Sequence, residues 1–360
     1  MKILWISGRR LGHDLASQTE HKLSNHLSSL GLEVDLLSPG SSENENYKHI
    51  RINDLKIQGL TTLSGARKVG NFIRKENMSD YDLILVDWRF IVPLKSFLVK
   101  LSTPWAIIDR GPPVTPGMFN RLQKWFWKKS WKIANEHARA GFVVSKRHSS
   151  FVRSLTHFQG ALHVIKAGAE PNPNNLNEDR PIKPIKIAYV GRLDIRRGIM
   201  KIESMIRELE NRGIEYNLII HGEGDLTADM AKFADSNEKI KFFGKTSHEE
   251  VQLTLSTCHI GIMPMPDIPV WRISSPLKLA EYLAAGLIII GPRHPGNEIQ
   301  SEGTWNLLAE KDWEIYAADR ISMLDKKTWE IMRDDAIESS KLLEWKKISQ
   351  ELKTTLEDMV

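Results

Sequence analysis

The sequence predicts an α/β protein made of two parallel-sheet domains. Short apolar runs typical of buried strands alternate with helical patterns along most of the chain. The length of 360 residues exceeds what a single core usually serves. Segment 171–184 is rich in proline and asparagine, which is typical of a linker. We therefore expect domains at 1–170 and 185–338, a linker at 171–184, and a separate C-terminal helix within 339–360.

The first half contains a series of strand-like runs separated by helical segments. A helical pattern covers 17–30 and stops at Gly31. The runs are KILWIS (2–7), EVDLLSP (33–39), DLILVD (82–87), WAIID (105–109), AGFVVS (140–145) and LHVIKAG (162–168).

The second half repeats this alternation. Ser247, with Glu250 three residues later, predicts a capping box at one helix start, and the chain from about Trp313 reads as helical. The strand-like runs are IKIAYVG (185–191), YNLIIHGEG (216–224), IKFFG (240–244), HIGIMP (259–264) and LIIIGP (287–292). Ligands bind beyond the carboxyl ends of parallel strands, so residues that follow the strands are the candidates for a site in a cleft between two facing sheets.

Bulk properties narrow the class of ligand and the compartment. A formal charge of +5 and a pI near 9.0 fit a phosphate-bearing ligand or an anionic membrane better than extended nucleic acid. The single cysteine, Cys258, excludes an internal disulfide and fits a reducing compartment. No apolar run has the length of a signal peptide or a membrane span, so we expect a cytoplasmic protein.

The stretch YVGRLDIRRG places arginines between a strand and a helix. Arg192, Arg196 and Arg197 at a helix start form a candidate anion site, since free backbone N–H groups and the helix dipole add to their charge. The alternative is a solvated basic turn. In HGEGDL, Gly222 and Gly224 allow close approach of a flat ligand, or form a plain turn.

A second candidate phosphate contact opens the helix in SSPLKLAEYLAAG. We expect Ser274 or Ser275 to cap this helix, with Pro276 at its first position. The first turn then presents N–H groups to a phosphate. Glu281, just beyond it, is placed to bind two ribose hydroxyls, unless it is a surface glutamate.

These stretches together resemble a known family. VGRLDIRRG, IIHGEG, IKFFGKTSHEEV, CHIGIMPM and SPLKLAEYLAAGLIII, in this order, are similar to the donor domain of glycosyltransferase family 4, which has the GT-B fold. The likeness is strong over 186–300 and weaker in the first half, through MKILWISGRRLG, AGFVVSKRHSSFV and VIKAGAE. The late LLEWKKISQELKTTL resembles the helix that packs back on the first domain.

The resemblance implies retaining transfer of a sugar from a nucleotide diphosphate sugar to a glycan or lipid-linked acceptor. Cell-surface polysaccharide, glycolipid or glycoprotein glycan synthesis is the implied setting. Arg192 and Arg197 match the arginine and lysine that hold the diphosphate, Glu281 matches the ribose ligand, and Gly12 lies in the loop that approaches the diphosphate. The expected donor-binding residues are Gly12, Arg192, Arg197, Gly222, Gly224, Lys245, Ser275, Pro276, Leu277, Lys278 and Glu281.

Two departures from the family pattern affect the expected chemistry. Ile273 stands where the family often has a glutamate that touches the sugar. Asp109 and Arg110 occupy the region of a family histidine, so Asp109 joins Arg192 and Arg197 as a catalytic or acceptor-orienting candidate, with loop capping as its alternative. His13 is a further candidate. We expect neither a metal nor a cofactor, since the arginines can neutralise the diphosphate.

The segment 119–140 mixes tryptophans and lysines. A helical wheel predicts a core stripe of Phe119, Leu122, Phe126, Ile133 and His137, opposite a basic face. A basic centre with tryptophan margins is typical of a helix that lies on a membrane surface. We therefore expect peripheral docking on the inner face of the cytoplasmic membrane, unless this is an ordinary surface helix. The expected acceptor and membrane face comprises Arg121, Lys124, Trp125, Trp127, Lys128, Trp131 and Lys132.

Three other function classes compete with this interpretation. A dinucleotide-dependent oxidoreductase needs GxGxxG after the first strand, whereas GRRLGH has a different spacing. A non-catalytic binding protein for nucleotide sugars or glycans is compatible with the glutamate missing at Ile273. A nucleotide-sugar epimerase of similar two-domain fold also remains open.

Overall fold

The computed structural model describes residues 1–12, 17–41, 46–52, 61–113, 118–174, 180–299 and 305–360. The chain divides into two compact units. The first unit contains Met1–Ala167 and Trp345–Val360, and the second contains Gly168–Glu344.

In the described residues, the first unit has a seven-stranded parallel sheet of order β3-β2-β1-β4-β5-β6-β7. A 3-10 turn covers Met78–Asp80. The elements are β1 (Lys2–Ile6), α1 (Gln18–Ser29), β2 (Glu33–Ser38), β3 (Lys48–Arg51), α2 (Thr61–Lys75), β4 (Leu83–Asp87), α3 (Trp88–Ile91), α4 (Lys95–Leu98), β5 (Trp105–Ile108), α5 (Met118–His137), β6 (Ala140–Val143), α6 (Lys146–Thr156) and β7 (Ala161–Val164).

The second unit has a six-stranded parallel sheet, within its described residues, of order β10-β9-β8-β11-β12-β13. Short 3-10 turns cover Ile195–Arg197 and Lys341–Leu343. The elements are β8 (Ile185–Val190), α7 (Met200–Asn211), β9 (Tyr216–His221), α8 (Thr227–Asp235), β10 (Ile240–Gly244), α9 (His248–Leu255), β11 (Ile260–Ile262), α10 (Pro269–Arg272), α11 (Leu277–Ala284), β12 (Ile288–Pro292), β13 (Asn306–Ala309), α12 (Trp313–Ser322) and α13 (Lys326–Ser340). The last helix of the chain, α14 (Trp345–Glu357), belongs to the first unit.

The apolar runs form the central strands of both sheets, as the sequence predicts. Every residue of β4 and β12 is buried, because helices cover both faces of a parallel sheet. The fold class of two parallel-sheet α/β domains is therefore confirmed. The predicted capping box is also present: Ser247 N–H donates to Glu250 Oε2 at 2.9 Å, and Glu250 N–H donates to Ser247 Oγ at 3.2 Å.

Two edge strands are absent from the sequence-based prediction. β3 reads KHIR and β13 reads NLLA, and each is four residues long and only partly buried. An edge strand packs against one neighbour only, so it needs no continuous apolar run. Periodicity therefore gives little signal for such strands.

The C-terminal helix α14 packs on α1 through a buried apolar face that includes Ile348, Leu352 and Leu356. Lys353 Nζ also donates to Leu30 O at 2.8 Å. The second unit begins at Gly168 and ends at Glu344, where Ala169 N–H donates to Leu343 O at 2.9 Å. The unit boundaries therefore differ by several residues from the predicted 170/171 and 338/339.

Candidate functional site

The loops that follow β8 and β9 run side by side at the carboxyl edge of the second sheet. Gly191 N–H donates to His221 O at 2.9 Å, and Leu193 N–H donates to Glu223 O at 3.0 Å. Gly222 has a φ of +148°, and a Cβ there would overlap Gly191 O, just as one at Gly224 would overlap Leu193 O. These two predicted donor-binding glycines are thus required by loop packing, whatever ligand they meet.

Arg197 is the most firmly held arginine at this edge. Asp194 accepts from the Arg197 backbone N–H at 3.0 Å and from Nε at 3.0 Å. The guanidinium lies 5.0 Å from the centroid of the Trp271 ring. The side chain remains 27% exposed.

Arg192 lies at the same edge with looser contacts. Its side chain is 56% exposed, with Nε 3.6 Å from Asp194 Oδ2 and Nη2 3.5 Å from Asp225 Oδ1. Tyr189 donates its hydroxyl proton to Arg192 O at 2.8 Å, which fixes the backbone rather than the guanidinium. Exposed ion pairs at such distances are weak, so Arg192 can exchange them for a ligand anion.

Lys278 supplies a third cation, and it is buried. Only 7% of the residue is exposed, and Nζ lies 3.2 Å from the Tyr189 hydroxyl and 4.3 Å from the centroid of that ring. Among the described residues, no carboxylate forms an ion pair with it. Burial lowers the pKa of Lys278 well below its usual value, and the nearby charge of Arg197 adds to this effect.

The start of α11 differs from the prediction in one respect. Pro276 is the N-cap and the helix begins at Leu277, so neither Ser274 nor Ser275 occupies the capping position. Ser274 instead donates its hydroxyl proton to Trp271 O at 2.7 Å. The segment 268–274 contains the short helix α10, and the Ser274 side chain binds the backbone of this helix instead of capping α11. The first N–H groups of α11 still precede Glu281 by one turn.

Glu281 lies on α11, one turn beyond its start, with its side chain 19% exposed. Its Oε1 is 3.9 Å from His248 Nδ1 at the start of α9. Burial raises the pKa of Glu281, while the charges of His248 and Lys278 act in the opposite direction. A largely enclosed carboxylate of this kind suits a ligand with hydroxyl donors better than the surface role considered above.

The remaining predicted donor residues lie around this edge. Lys245 follows β10, is about half exposed, and lies 3.2 Å from Glu223. Ile273, which stands where the resembled family often has a glutamate, is buried and forms part of the apolar core. Arg272 beside it forms an exposed ion pair with Asp267 at 3.0 Å. Arg192, Arg197 and Lys278 thus lie at one edge of the sheet, with Lys278 in the first turn of α11, and this arrangement suits an anionic ligand.

Asp109 occupies a different position from the one expected of a catalytic group. Its side chain is fully buried, and Oδ2 accepts from the indole N–H groups of Trp127 at 2.6 Å and Trp131 at 3.0 Å. Oδ1 accepts from Gly111 N–H at 2.8 Å, so Asp109 does cap the following loop. Burial raises the pKa of Asp109, but His148 and the hydrogen bonds from Trp127 and Gly111 outweigh burial and hold it below 3.8. In this structure Asp109 has a structural role.

The structure also places a charged group at the carboxyl edge of the first sheet that the sequence reading missed. Arg9, in the loop after β1, lies 3.3 Å from Glu20 of α1, and Asp87, the last residue of β4, lies 2.7 Å from Arg89. These residues lie in no recognisable motif. Their position after strands was the one available signal, because β1 and β4 flank the point where the strand order reverses.

Arg110 and Gly12 also lie in the first unit. Arg110 donates to Ile165 O at 2.8 Å and to the Thr19 hydroxyl at 3.1 Å, and burial lowers its pKa to about 10. Gly12 follows β1, next to Leu11, which pairs with Gly40. His13 lies outside the described residues.

The predicted membrane face on α5 requires correction. Trp127 and Trp131 are 1% and 0% exposed, because their indole N–H groups bind buried Asp109. Leu122 and His137, assigned to the core stripe, are exposed instead. The real buried face is Trp127, Ser130, Trp131, Ile133 and Ala134.

An exposed basic surface nevertheless remains on α5. Trp125 is 51% exposed and stacks with Lys129, whose Nζ lies 4.5 Å from the ring centroid. We call this the α5 basic surface, and it comprises Arg121, Leu122, Lys124, Trp125, Lys128, Lys129 and Lys132.

None of the helices in the described parts of the chain has the length and apolar character needed to cross a membrane. The same described residues contain no group of three or more His, Cys, Asp or Glu side chains placed to hold a metal ion.

Residues 184–326 match the family model described as "Glycosyl transferases group 1". This segment is therefore similar to group 1 glycosyltransferases. It runs from β8 to α12 and contains Arg192, Arg197, Lys278 and Glu281, the residues that the structure brings to one sheet edge.

Comparison with curated proteins gives one partial likeness to a named glycosyltransferase. The chain is 27% identical over 140 residues to "Amylovoran biosynthesis glycosyltransferase AmsK" of Erwinia amylovora. The aligned segment covers 38% of this chain and 34% of the relative, so it spans about a third of that protein.

Solved structures match nearly the whole chain at low identity. The sucrose-phosphate synthase of Thermosynechococcus elongatus has a TM-score of 0.79 and 16% identity, with 100% of this chain and 99% of that chain covered. Anabaena HepE in complex with UDP-glucose has a TM-score of 0.72 and 14% identity, with 99% and 100% covered. At such identities the likeness establishes the fold, which is that of GT-B glycosyltransferases.

Proposed function

We propose that the protein is a retaining glycosyltransferase that transfers a sugar from a nucleotide diphosphate sugar to a glycan or lipid-linked acceptor. One observation carries the proposal: Arg192 and Arg197 follow β8, Lys278 lies in the first turn of α11 at the same sheet edge, and Glu281 lies one turn further on, all within the segment that matches the group 1 model. This is a cationic site next to a carboxylate that can accept hydroxyl protons.

In this proposal Arg192 and Arg197 bind the diphosphate and stabilise its developing charge as it leaves the sugar. The first N–H groups of α11, those of Leu277 and Lys278, bind a phosphate along the helix dipole. Because these cations neutralise the leaving group, we expect turnover to persist in EDTA. Loss of turnover in EDTA, with recovery on adding Mg²⁺ or Mn²⁺, would contradict this part.

Glu281 binds the ribose hydroxyls, and the loops at Gly222, Gly224 and Lys245 border the rest of the nucleoside. HepE is named in complex with UDP-glucose, which supports a uridine nucleotide as the first donor to test. Gly12 remains a proposed diphosphate contact from the first unit.

A thermal-shift panel of UDP, GDP, ADP and TDP, and of their common sugar conjugates, tests the donor site. A ligand that binds only the folded state raises the free energy of unfolding, by about 2.7 kcal/mol when its concentration is a hundred times Kd. The melting temperature rises as a consequence. We expect one nucleotide to give the largest shift and Arg197→Ala to abolish it. No shift with any of these nucleotides would contradict the proposal.

The buried Ile273 keeps one alternative open, a protein that binds a nucleotide sugar without turning it over. Slow hydrolysis of one radiolabelled nucleotide sugar supports the enzyme, whereas tight binding without turnover supports the alternative. The anomeric configuration of the product, read from the proton NMR coupling of the sugar, tests retention. Likeness to an amylovoran biosynthesis enzyme favours polysaccharide synthesis as the pathway.

The α5 basic surface supports a further part of the proposal, peripheral docking on an anionic cytoplasmic membrane near a lipid-linked acceptor. Its lysines attract anionic headgroups, and Leu122 and Trp125 add exposed apolar area. Sedimentation with phosphatidylglycerol vesicles tests it, using the Lys124/Lys128/Lys132→Glu variant. The Lys232/Lys241/Lys327→Glu variant has the same net charge and serves as the control. Equal sedimentation of all three proteins would contradict membrane docking.

A further inference from the structure

Arg197 is enclosed on two sides. On one side, Asp194 binds its backbone N–H and its Nε, each at 3.0 Å. On another, the Trp271 ring centroid lies 5.0 Å from its Cζ. A planar guanidinium can stack on a ring and still donate in its plane, which a lysine ammonium cannot do in the same way.

Trp271 is itself held in place by hydrogen bonds. Its indole N–H donates to Arg196 O at 3.0 Å, so the ring is tied to the backbone of the arginine loop. Its carbonyl accepts from the Ser274 hydroxyl at 2.7 Å, and its backbone N–H donates to Ile268 O at 3.0 Å. The ring therefore presents a fixed surface to Arg197.

Arg192 provides the internal comparison. It faces the same Asp194 at 3.6 Å, but its side chain is 56% exposed, against 27% for Arg197. The two arginines differ in how far their orientation is set before a ligand arrives. A preoriented cation contributes more to binding and to charge stabilisation, because it does not lose side-chain entropy at that moment.

We propose that Trp271 is a positioning residue that presents Arg197 to the donor diphosphate, and that this site is therefore specific for arginine at position 197. The inference rests on the proposed function. In this chain the segment leading to the buried Ile273 supports the arginine loop through Trp271, which lies two residues earlier.

A double-mutant cycle on nucleotide affinity tests the coupling. The variants are Arg197→Lys, Trp271→Leu and their combination, and the probe is the nucleoside diphosphate that stabilises the parent most among UDP, GDP, ADP and TDP. A cation–π contact corresponds to roughly a 2- to 30-fold change in Kd. We expect each single variant to raise Kd by a factor within this range. In the Trp271→Leu background, Arg197→Lys should raise Kd further by less than about threefold.

Two further variants separate positioning from general damage. Trp271→Phe keeps a ring but loses the indole N–H, so its Kd should lie between those of the parent and Trp271→Leu. Tyr316→Leu removes another ring stacked under an arginine, Arg320 at 5.2 Å on α12, and should leave Kd within twofold of the parent. Unfolding midpoints establish that each variant is folded.

The positioning role alone would be overturned if the increase in Kd of the double variant equalled the product of the two single increases. The same holds if Trp271→Leu bound the nucleotide like the parent. Failure of the parent to bind any of the four diphosphates would instead overturn the proposed function, and this inference with it. The two failures are therefore distinguishable.

Discussion

The carboxyl edges of the two sheets both gather charged side chains, but the two units use them differently. In the first unit, Asp87 pairs with Arg89 and Arg9 with Glu20, while Asp109 is enclosed by two indole N–H groups. In the second, Asp194 serves both Arg192 and Arg197, and Lys278 is buried beside a tyrosine ring. At the first edge the charges form close ion pairs, whereas at the second edge one aspartate faces two arginines and Lys278 forms no ion pair with a described carboxylate.

This difference indicates which edge is built for an anion. A buried or half-buried cation without a matching carboxylate costs stability, and it persists where a ligand compensates that cost. Paired and satisfied charges such as those around Asp109 support the fold instead. Variants at the two edges should therefore affect different observables, which the following experiments test.

The largest effect should come from removing the fixed cation of the second edge. Arg197→Ala should lower turnover by about 10²- to 10³-fold, since it removes a charged contact to the leaving group. Initial rates with the identified donor measure it. The control is Arg207→Ala, an exposed arginine in the second half of α7 that is ion-paired with Glu203, which should retain activity. Activity of Arg197→Ala within a few-fold of the parent would remove this arginine from the site.

Glu281→Gln should weaken nucleoside diphosphate affinity by roughly 1–3 kcal/mol, the scale of a hydrogen bond to a charged group. Isothermal calorimetry measures the change. Glu208→Gln, at a partly exposed ion pair with Arg212 near the end of α7, is the matched control and should bind like the parent. An unchanged Kd for Glu281→Gln would mean that this carboxylate is structural.

At the first edge, Asp109→Asn should lower the free energy of unfolding by about 1–3 kcal/mol, because the amide places a donor against indole N–H groups. Nucleotide affinity should stay unchanged. The folded-state pKa of Asp109 lies below 3.8, so its contribution is present above that pH and is lost as pH falls through the folded value. Urea unfolding should show the difference between variant and parent shrinking below about pH 4. A variant of parental stability but without turnover would restore Asp109 as a catalytic residue.

The smallest effect concerns Lys278. Replacing this buried cation by methionine should raise the ligand-free stability by about 1 kcal/mol while weakening diphosphate binding. The folded-state pKa of Lys278 lies below 10.5, the pKa expected in the unfolded chain. Between these two pKa values the unfolded chain binds more protons than the folded protein, so the free energy of unfolding of the parent rises with pH. Urea unfolding from pH 7 to 10 should show a flatter pH dependence for Lys278→Met. An identical slope in both proteins would mean that Lys278 is fully charged in the folded state.

Much of the fold and part of the site were predictable from the sequence. Central strands such as DLILVD read as apolar runs because they are buried on both faces. The arginines after β8 and the glutamate of α11 were chosen as candidates because ligands bind beyond strand ends and at helix starts, and the structure places them at one sheet edge. The short polar edge strands β3 and β13 gave no comparable signal.

The helix α5 shows where sequence reasoning fails. Its wheel contains several partial apolar stripes, and the sequence alone does not say which of them meets the sheet. A buried Asp109, more than fifteen residues away in sequence, selects the stripe containing Trp127 and Trp131 by offering an acceptor to both indoles. Trp125 is consequently left exposed beside the lysines.

The sequence by itself determined the alternation of strands and helices, the two-sheet fold class and the identity of the cations at the second sheet edge. These follow from local rules: apolar periodicity, capping and the position of residues after strands. Only the tertiary structure decided that Asp109 is satisfied by two indoles, that Trp271 stacks on Arg197, and that Lys278 is buried without an ion pair to any described carboxylate. Such pairings depend on residues far apart in the chain, and local sequence patterns carry no information on which distant partner satisfies a buried charge.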